Sequence, residues 1–256
     1  MTDEKQQTDT GWQAQVLRLT AFLATPLDPS IVAEIWHLAA GAAPETDDNR
    51  PREGIRRQAG PFSDWQLEIV IAQGRVDWIL SPRARADAPP ALYFASLERA
   101  MTTFRAEAKK WLAIGSPSIL RLAVGAVLLM PMPDRKAAYK KLNELLSSVQ
   151  VDPAHASDLL YQINWRRPSE VISDFKLNRL TKWNALVVRV FSFPLSQAVL
   201  QSSPTTGEQF CALECDHSTV ADRTEAFTTQ QADDLLQELC DLVEDNACKG
   251  EVPTKV

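Results

Sequence analysis

Glycine is scarce in this 256-residue chain, at 9 residues, and neither Gly-x-x-x-x-Gly-Lys nor Gly-x-Gly-x-x-Gly occurs. That argues against nucleotide binding through a glycine-rich phosphate loop. Histidine is scarcer still: His37, His155 and His217 stand far apart. A histidine-based metal site or general base would have to assemble from distant positions. The four cysteines, Cys211, Cys215, Cys240 and Cys248, are too few for a disulfide scaffold. The start, Met1-Thr2-Asp3-Glu4, is polar and acidic, unlike a secretory signal, so reduced thiols in a cytoplasm are expected. The longest apolar stretch, Leu122 to Pro133, runs on the order of ten residues where a membrane span needs ~20.

What is present is an ordinary globular composition, 45% hydrophobic and 23% charged, with net charge −6. A chain of this length can bury a sizeable core. The charge is unevenly spread. Residues 161–189 hold six basic and two acidic side chains, and residues 208–256 hold twelve acidic and three basic. Such a contrast suits an electrostatic face for a partner, self-association of basic segment on acidic end, or simple solubility.

Residues 1–10 read as a tail, 11–247 as a single domain, and 248–256 as a frayed end. Alternation predicts a strand within Trp12 to Thr25, and Asp28-Pro29 opens a helix with Ile31, Ile35 and Leu38 on its apolar stripe. Residues 42–62 lack periodicity and read as an exposed loop. Trp65 to Leu80 alternates about Gln73-Gly74 and predicts a hairpin. A helix is expected over about Ala91 to Ala113, then a strand to Met130 and a helix capped by Asp134. Strands are expected over Asp158 to Trp165, within Asn178 to Phe193, and over Gln209 to His217. The last helix starts at Thr228, where Gln231 completes a capping box. This order predicts an α+β fold, a mostly antiparallel sheet with amphipathic helices packed on one face. Two similar halves meeting near residues 115–135 fit the same order.

Cys211, Cys215 and His217 share a strand face. At ~3.3 Å per residue the two thiols stand ~13 Å apart, whereas thiolates on one zinc must lie within ~4 Å. They read as buried structural thiols. Asp216-His217-Ser218 holds the residue types of a hydrolytic triad, but neighbouring strand side chains point to opposite faces, and no nucleophile elbow is present. It reads as a polar turn at a strand end. No cofactor is implied, and the balance leans away from an enzyme, although a site dispersed along the sequence stays open.

The leading candidate is a basic-aromatic segment: Trp165, Arg166, Arg167, Lys176, Arg179, Lys182 and Trp183. Its cations suit the carboxylates of an acidic protein partner. The alternative is nucleic acid, with cations on phosphates and tryptophans stacked on bases. A basic loop over tucked-in rings is the plain reading. A second basic cluster, Arg50, Arg52, Arg56 and Arg57, falls in the irregular loop.

Ser118-Ile119-Leu120-Arg121-Leu122-Ala123-Val124-Gly125, Cys211-Ala212-Leu213-Glu214-Cys215-Asp216-His217 and the closing acidic helix resemble the second half of a sporadically distributed bacterial family of uncharacterised proteins of about 250 residues. The central strand departs from the family's Arg-Leu-Gly-Leu-Arg-type pattern at Ala123 and Val124. The resemblance implies an α+β fold, a bacterial setting, and a role in defence or a mobile element. Together these readings lead to the expectation of a non-enzymatic binding protein.

Overall fold

A computed structural model describes residues 10–84, 91–189 and 207–251. Strand β1 (Gln13–Leu23) turns Leu17, Leu19 and Ala21 to one side and Val16, Arg18, Thr20 and Phe22 to the other. Helix α1 (Pro29–Ala40) follows, then the hairpins β2 (Thr46–Arg50) with β3 (Ile55–Phe62) and β4 (Trp65–Ala72) with β5 (Arg75–Pro82). A two-residue strand β6 (Ala95–Ser96) leads into α2 (Leu97–Ala113). The chain then repeats the scheme with β7 (Ile119–Met132), α3 (Arg135–Leu145), β8 (Leu160–Asn164), short β9 (Arg167–Pro168), β10 (Lys176–Val188), β11 (Glu208–Thr219) and α4 (Thr229–Lys249).

All eleven strands join one sheet in the order β2-β3-β4-β5-β1-β7-β11-β10-β8, with β6 on β1 and β9 on β10. Read outward from the middle, β1-β5-β4-β3 is matched by β7-β11-β10-β8. The first helix of each half opens on an aspartate N-cap, Asp28 or Asp134, and the second on a hydroxyl, Ser96 or Thr228. The fold is therefore the expected α+β type, built as two similar halves. Their seam is the antiparallel ladder from Gln13↔Leu129 to Leu23↔Ile119.

The helices cover one face. Leu17, Leu19, Leu122, Val124 and Leu213 from the sheet share a core with Phe104 and Trp111 of α2 and with Leu235, Leu239 and Val243 of α4. Each such side chain contributes about 1.5–3 kcal/mol on burial. Trp78 and Trp111 stack with planes 7° apart, and Trp12 donates its indole N–H to Ala247 O at 2.9 Å, tying β1 to the end of α4. Among the described residues no helix is long and apolar enough to cross a membrane.

Three expectations are corrected. The loop of residues 42–62 holds the β2–β3 hairpin, with Gly54 at φ +66 in its turn. β2 is exposed throughout and β3 is only partly buried, so neither carries the alternation that marks a two-sided strand. Helix α2 starts at Leu97 rather than 91. Phe94 fits the helical stripe, yet its N–H donates to Ala14 O beside the sheet. The end of the chain from Cys248 is not frayed as far as Glu251. Gly250 adopts φ +74, and the buried Glu251 donates its N–H to Leu145 O at 2.7 Å. The remaining tail positions, 1–9 and 252–256, lie outside the described residues, as does the part of the expected 178–193 strand beyond 189.

Gly250 has no room for a side chain, since a Cβ there would meet Leu145 O at 2.1 Å. Gly250→Ala is expected to lower the unfolding free energy by about 2 kcal/mol, read from urea denaturation.

Candidate functional site: the helix-free face of the sheet

The basic-aromatic segment does not form one surface. β10 alternates, so Arg179, Thr181 and Trp183 point under the helices while Lys176 and Lys182 point the other way. Trp183 is fully buried and meets Trp12 edge-on at 6.3 Å. Arg179 is buried, with Nε donating to Asn246 Oδ1 at 3.1 Å. Trp165 donates its indole N–H to Glu251, and Arg167 reaches Glu238 at 3.1 Å. Arg166 and Lys176 are exposed. As a contact surface the segment is corrected to three solvent-facing cations, Arg166, Lys176 and Lys182. Period-2 geometry withdraws Arg179 and Trp183, and hydrogen bonds to Glu238 and Glu251 turn Arg167 and Trp165 inward.

Arg167 and Trp165 are held by the chain's own acidic end. Glu238 of α4, almost buried, accepts from Arg167, from Ser169 Oγ at 2.7 Å and from the Glu170 N–H at 2.8 Å. Glu251 accepts from Tyr161 OH, Trp165 Nε1, and both Ser148 N–H and Oγ. Burial pushes the Glu251 carboxyl up, but these donors outweigh it and hold the group below its ordinary value. On α2, Arg105 pairs with Asp241 and Glu244, and Lys109 with Asp233. Much of the contrast between basic middle and acidic end is thus matched inside the molecule.

Among the described residues the opposite face of the sheet carries no helix. Antiparallel register sets its side chains in rows. One row runs Ile79, Arg18, Gly125, Asp216, Leu180, and the next runs Val16, Val127, Glu214, Lys182. Ion pairs recur along this face: Arg18–Asp216 at 3.6 Å, Lys182–Glu214 at 3.0 Å, Arg57–Glu68 at 3.0 Å and Arg75–Asp77 at 2.7 Å. Phe22 lies beneath two guanidiniums, Arg121 at 4.8 Å and Arg75 at 5.6 Å from its ring centre. A cavity of about 300 Å³ sits where the two rows cross the seam. At one end of the face Leu129, Phe210 and Ala212 form a small second core with Leu92 packed on it.

Sequence reasoning did not single out Arg18, Gly125 or Glu214. The available signal was one arginine alternating with the apolar residues of β1. The second basic cluster also divides: Arg57 and Arg50 turn to the helix-free face, and Arg56 pairs with Asp47 and Val32 O on the helix side.

Asp216-His217-Ser218 lies within β11 rather than in a turn. Asp216 and Ser218 point to the helix-free face, and His217 points inward and is completely buried. Cys211 and Cys215 share its face, as expected for that strand. Burial pushes the Cys211 thiol up to about 12 and the Cys215 thiol also upward, so both are neutral. Cys211 donates to Ala138 O. His155 is exposed and pairs with Asp152 at 2.7 Å. The two histidines do not share a site. Comparison with protein-family models finds no match, and neither does comparison with curated proteins.

Burial, and then the charge of Arg179, push the His217 pKa down to about 3. The unfolded chain takes up this proton first, so stability is full above about pH 6.5 and falls as pH drops toward 3, by about 1.4 kcal/mol per pH unit. Urea unfolding is expected to show a loss of about 2 kcal/mol between pH 7 and 5, the full slope being reached below about pH 6, and a His217→Leu variant is expected to flatten it. Glu238→Ala is expected to cost about 3 kcal/mol, because Arg167 loses its buried partner. Hydrogen exchange at the Glu170 amide then rises by more than exchange in β1.

Proposed function

We propose that this protein is a non-enzymatic binding protein that engages a protein partner across the helix-free face of its sheet. The observation that carries the reading is the state of that face: a broad antiparallel surface that carries no helix among the described residues, with Lys182, Arg57 and Arg75 held at fixed positions by ion pairs. Fixed, mixed charge suits the side chains of another protein, where specificity comes from complementary potentials and from the cost of a wrong pairing. A phosphate backbone running along the face would instead have to displace Glu214, Glu68 and Asp77 from cations that they hold at 2.7–3.0 Å, so nucleic acid is the less favoured partner. Arg121 and Lys176 have no carboxylate partner among the described residues, which tilts the face toward an acidic protein surface.

A photo-crosslinking phenylalanine analogue placed at Gln162 or Gln66 on this face, with Lys140 on α3 as control, tests the reading in cells. Discrete protein adducts are expected from Gln162 and Gln66, absent from Lys140 and weakened when Lys182→Glu is added. Adducts to nucleic acid, or equal protein labelling from Lys140, would overturn it.

A further inference from the structure

The cavity at the seam is lined by a position that has no side chain. Gly125 stands opposite Arg18 on one flank and Asp216 on the other. With no Cβ between them, the Arg18 side chain lies over β7. Its Nη2, Nε and Cζ stand 3.2–3.4 Å from where a Cβ on Gly125 would be. Val16, Ile79, Val127 and Leu180 wall the space with apolar surface.

Arg18 is underused. Its Nε is closed from solvent and has no acceptor among the described residues. Its nearest carboxylate oxygen, Asp216 Oδ1, stands 3.6 Å from Nη2, whereas a charge-assisted bond of this kind closes to about 2.7–2.9 Å. A guanidinium offers five N–H donors in a fixed fork. Lys182, the other cation at the cavity, is already committed to Glu214 at 3.0 Å.

We propose that this cavity receives a carboxylate, the side chain of a glutamate or aspartate on the protein partner, seated on the Arg18 guanidinium. The inference rests on the reading that a protein docks on this face. The fork matches a carboxylate in two parallel bonds, and the apolar walls suit the methylene stem behind it. Asp216 and Glu214, close by, disfavour a doubly charged phosphate. Asp216 holds Arg18 loosely in the free protein and is the group that the incoming carboxylate displaces.

The test is a titration of the full chain followed by the Nε–Hε resonance of Arg18 in nuclear magnetic resonance. The probes are acetyl-Gly-Glu-Gly-amide, its glutamine counterpart and inorganic phosphate, each to about 20 mM, since so small a contact has millimolar affinity. The glutamate peptide is expected to shift the Arg18 and Gly125 signals saturably, and the other two are not. Arg18→Lys keeps the charge but loses the fork, and weakens binding about tenfold. Gly125→Ala crowds the guanidinium and does the same. Asp216→Asn removes the competitor and tightens binding several-fold. An unmoved Arg18 signal, an equal response to the glutamine peptide or to phosphate, or weaker binding in Asp216→Asn would overturn the proposal. Silent peptides alongside crosslinks from Gln162 would remove the carboxylate site and leave the docking face. Peptide binding without crosslinks would do the reverse.

Discussion

The ladder between β1 and β7 is the constraint from which the other features follow. It joins two half-sheets, each of which would otherwise end in an open central strand. Because pairing is antiparallel and the side-chain period is two, this one register decides which residues of both halves meet on each face. It sends Leu19 and Val124 together under the helices. It also sends Arg18 to the place where β7 has a glycine. A slip by one residue would put Arg18 into the core and Leu19 into water, so the folded core and the cavity are specified by the same pairing.

The second organising interaction is electrostatic and internal. α4 and the turn that follows it bring carboxylates to the segment between β8 and β10 and to α2, and each of the buried ones has several donors. Glu238 and Glu251 accept both backbone and side-chain N–H or O–H groups. That arrangement is what makes a nearly buried carboxylate tolerable. It also explains why a strongly acidic end and a basic middle coexist without leaving two large surfaces of opposite sign.

The architecture was legible wherever local signals agree with tertiary demands. The caps at Asp28, Asp134 and Thr228, the hairpin about Gly74 and the alternation of β11 all read directly from residue order. The β2–β3 hairpin did not, because a strand whose side chains all meet water has no apolar period to show. The start of α2 was misplaced because Phe94 is apolar for a strand contact yet falls at a helical spacing. For the site, composition located the charge contrast but not its resolution. Neither the pairing of Arg167 with Glu238, 71 residues on, nor the meeting of Arg18 with Asp216 across an intervening strand is encoded in any local pattern.

The two outer strands carry a different lesson. A sheet with an open face and two free edges invites growth, since each edge presents unpaired N–H and C=O groups to any passing strand. Here one edge is β2, Thr46-Asp-Asp-Asn-Arg50, short, fully exposed and charged. The other is β8, only five residues long, with Leu160, Gln162 and Asn164 exposed along it. A neighbouring molecule adding a strand to β2 would have to lay its own backbone against ionised side chains in place of their water. The molecule thus treats its broad face and its β2 rim differently: the face carries fixed ion pairs, while the charged rim resists the stacking that would turn a concentrated solution into fibrils.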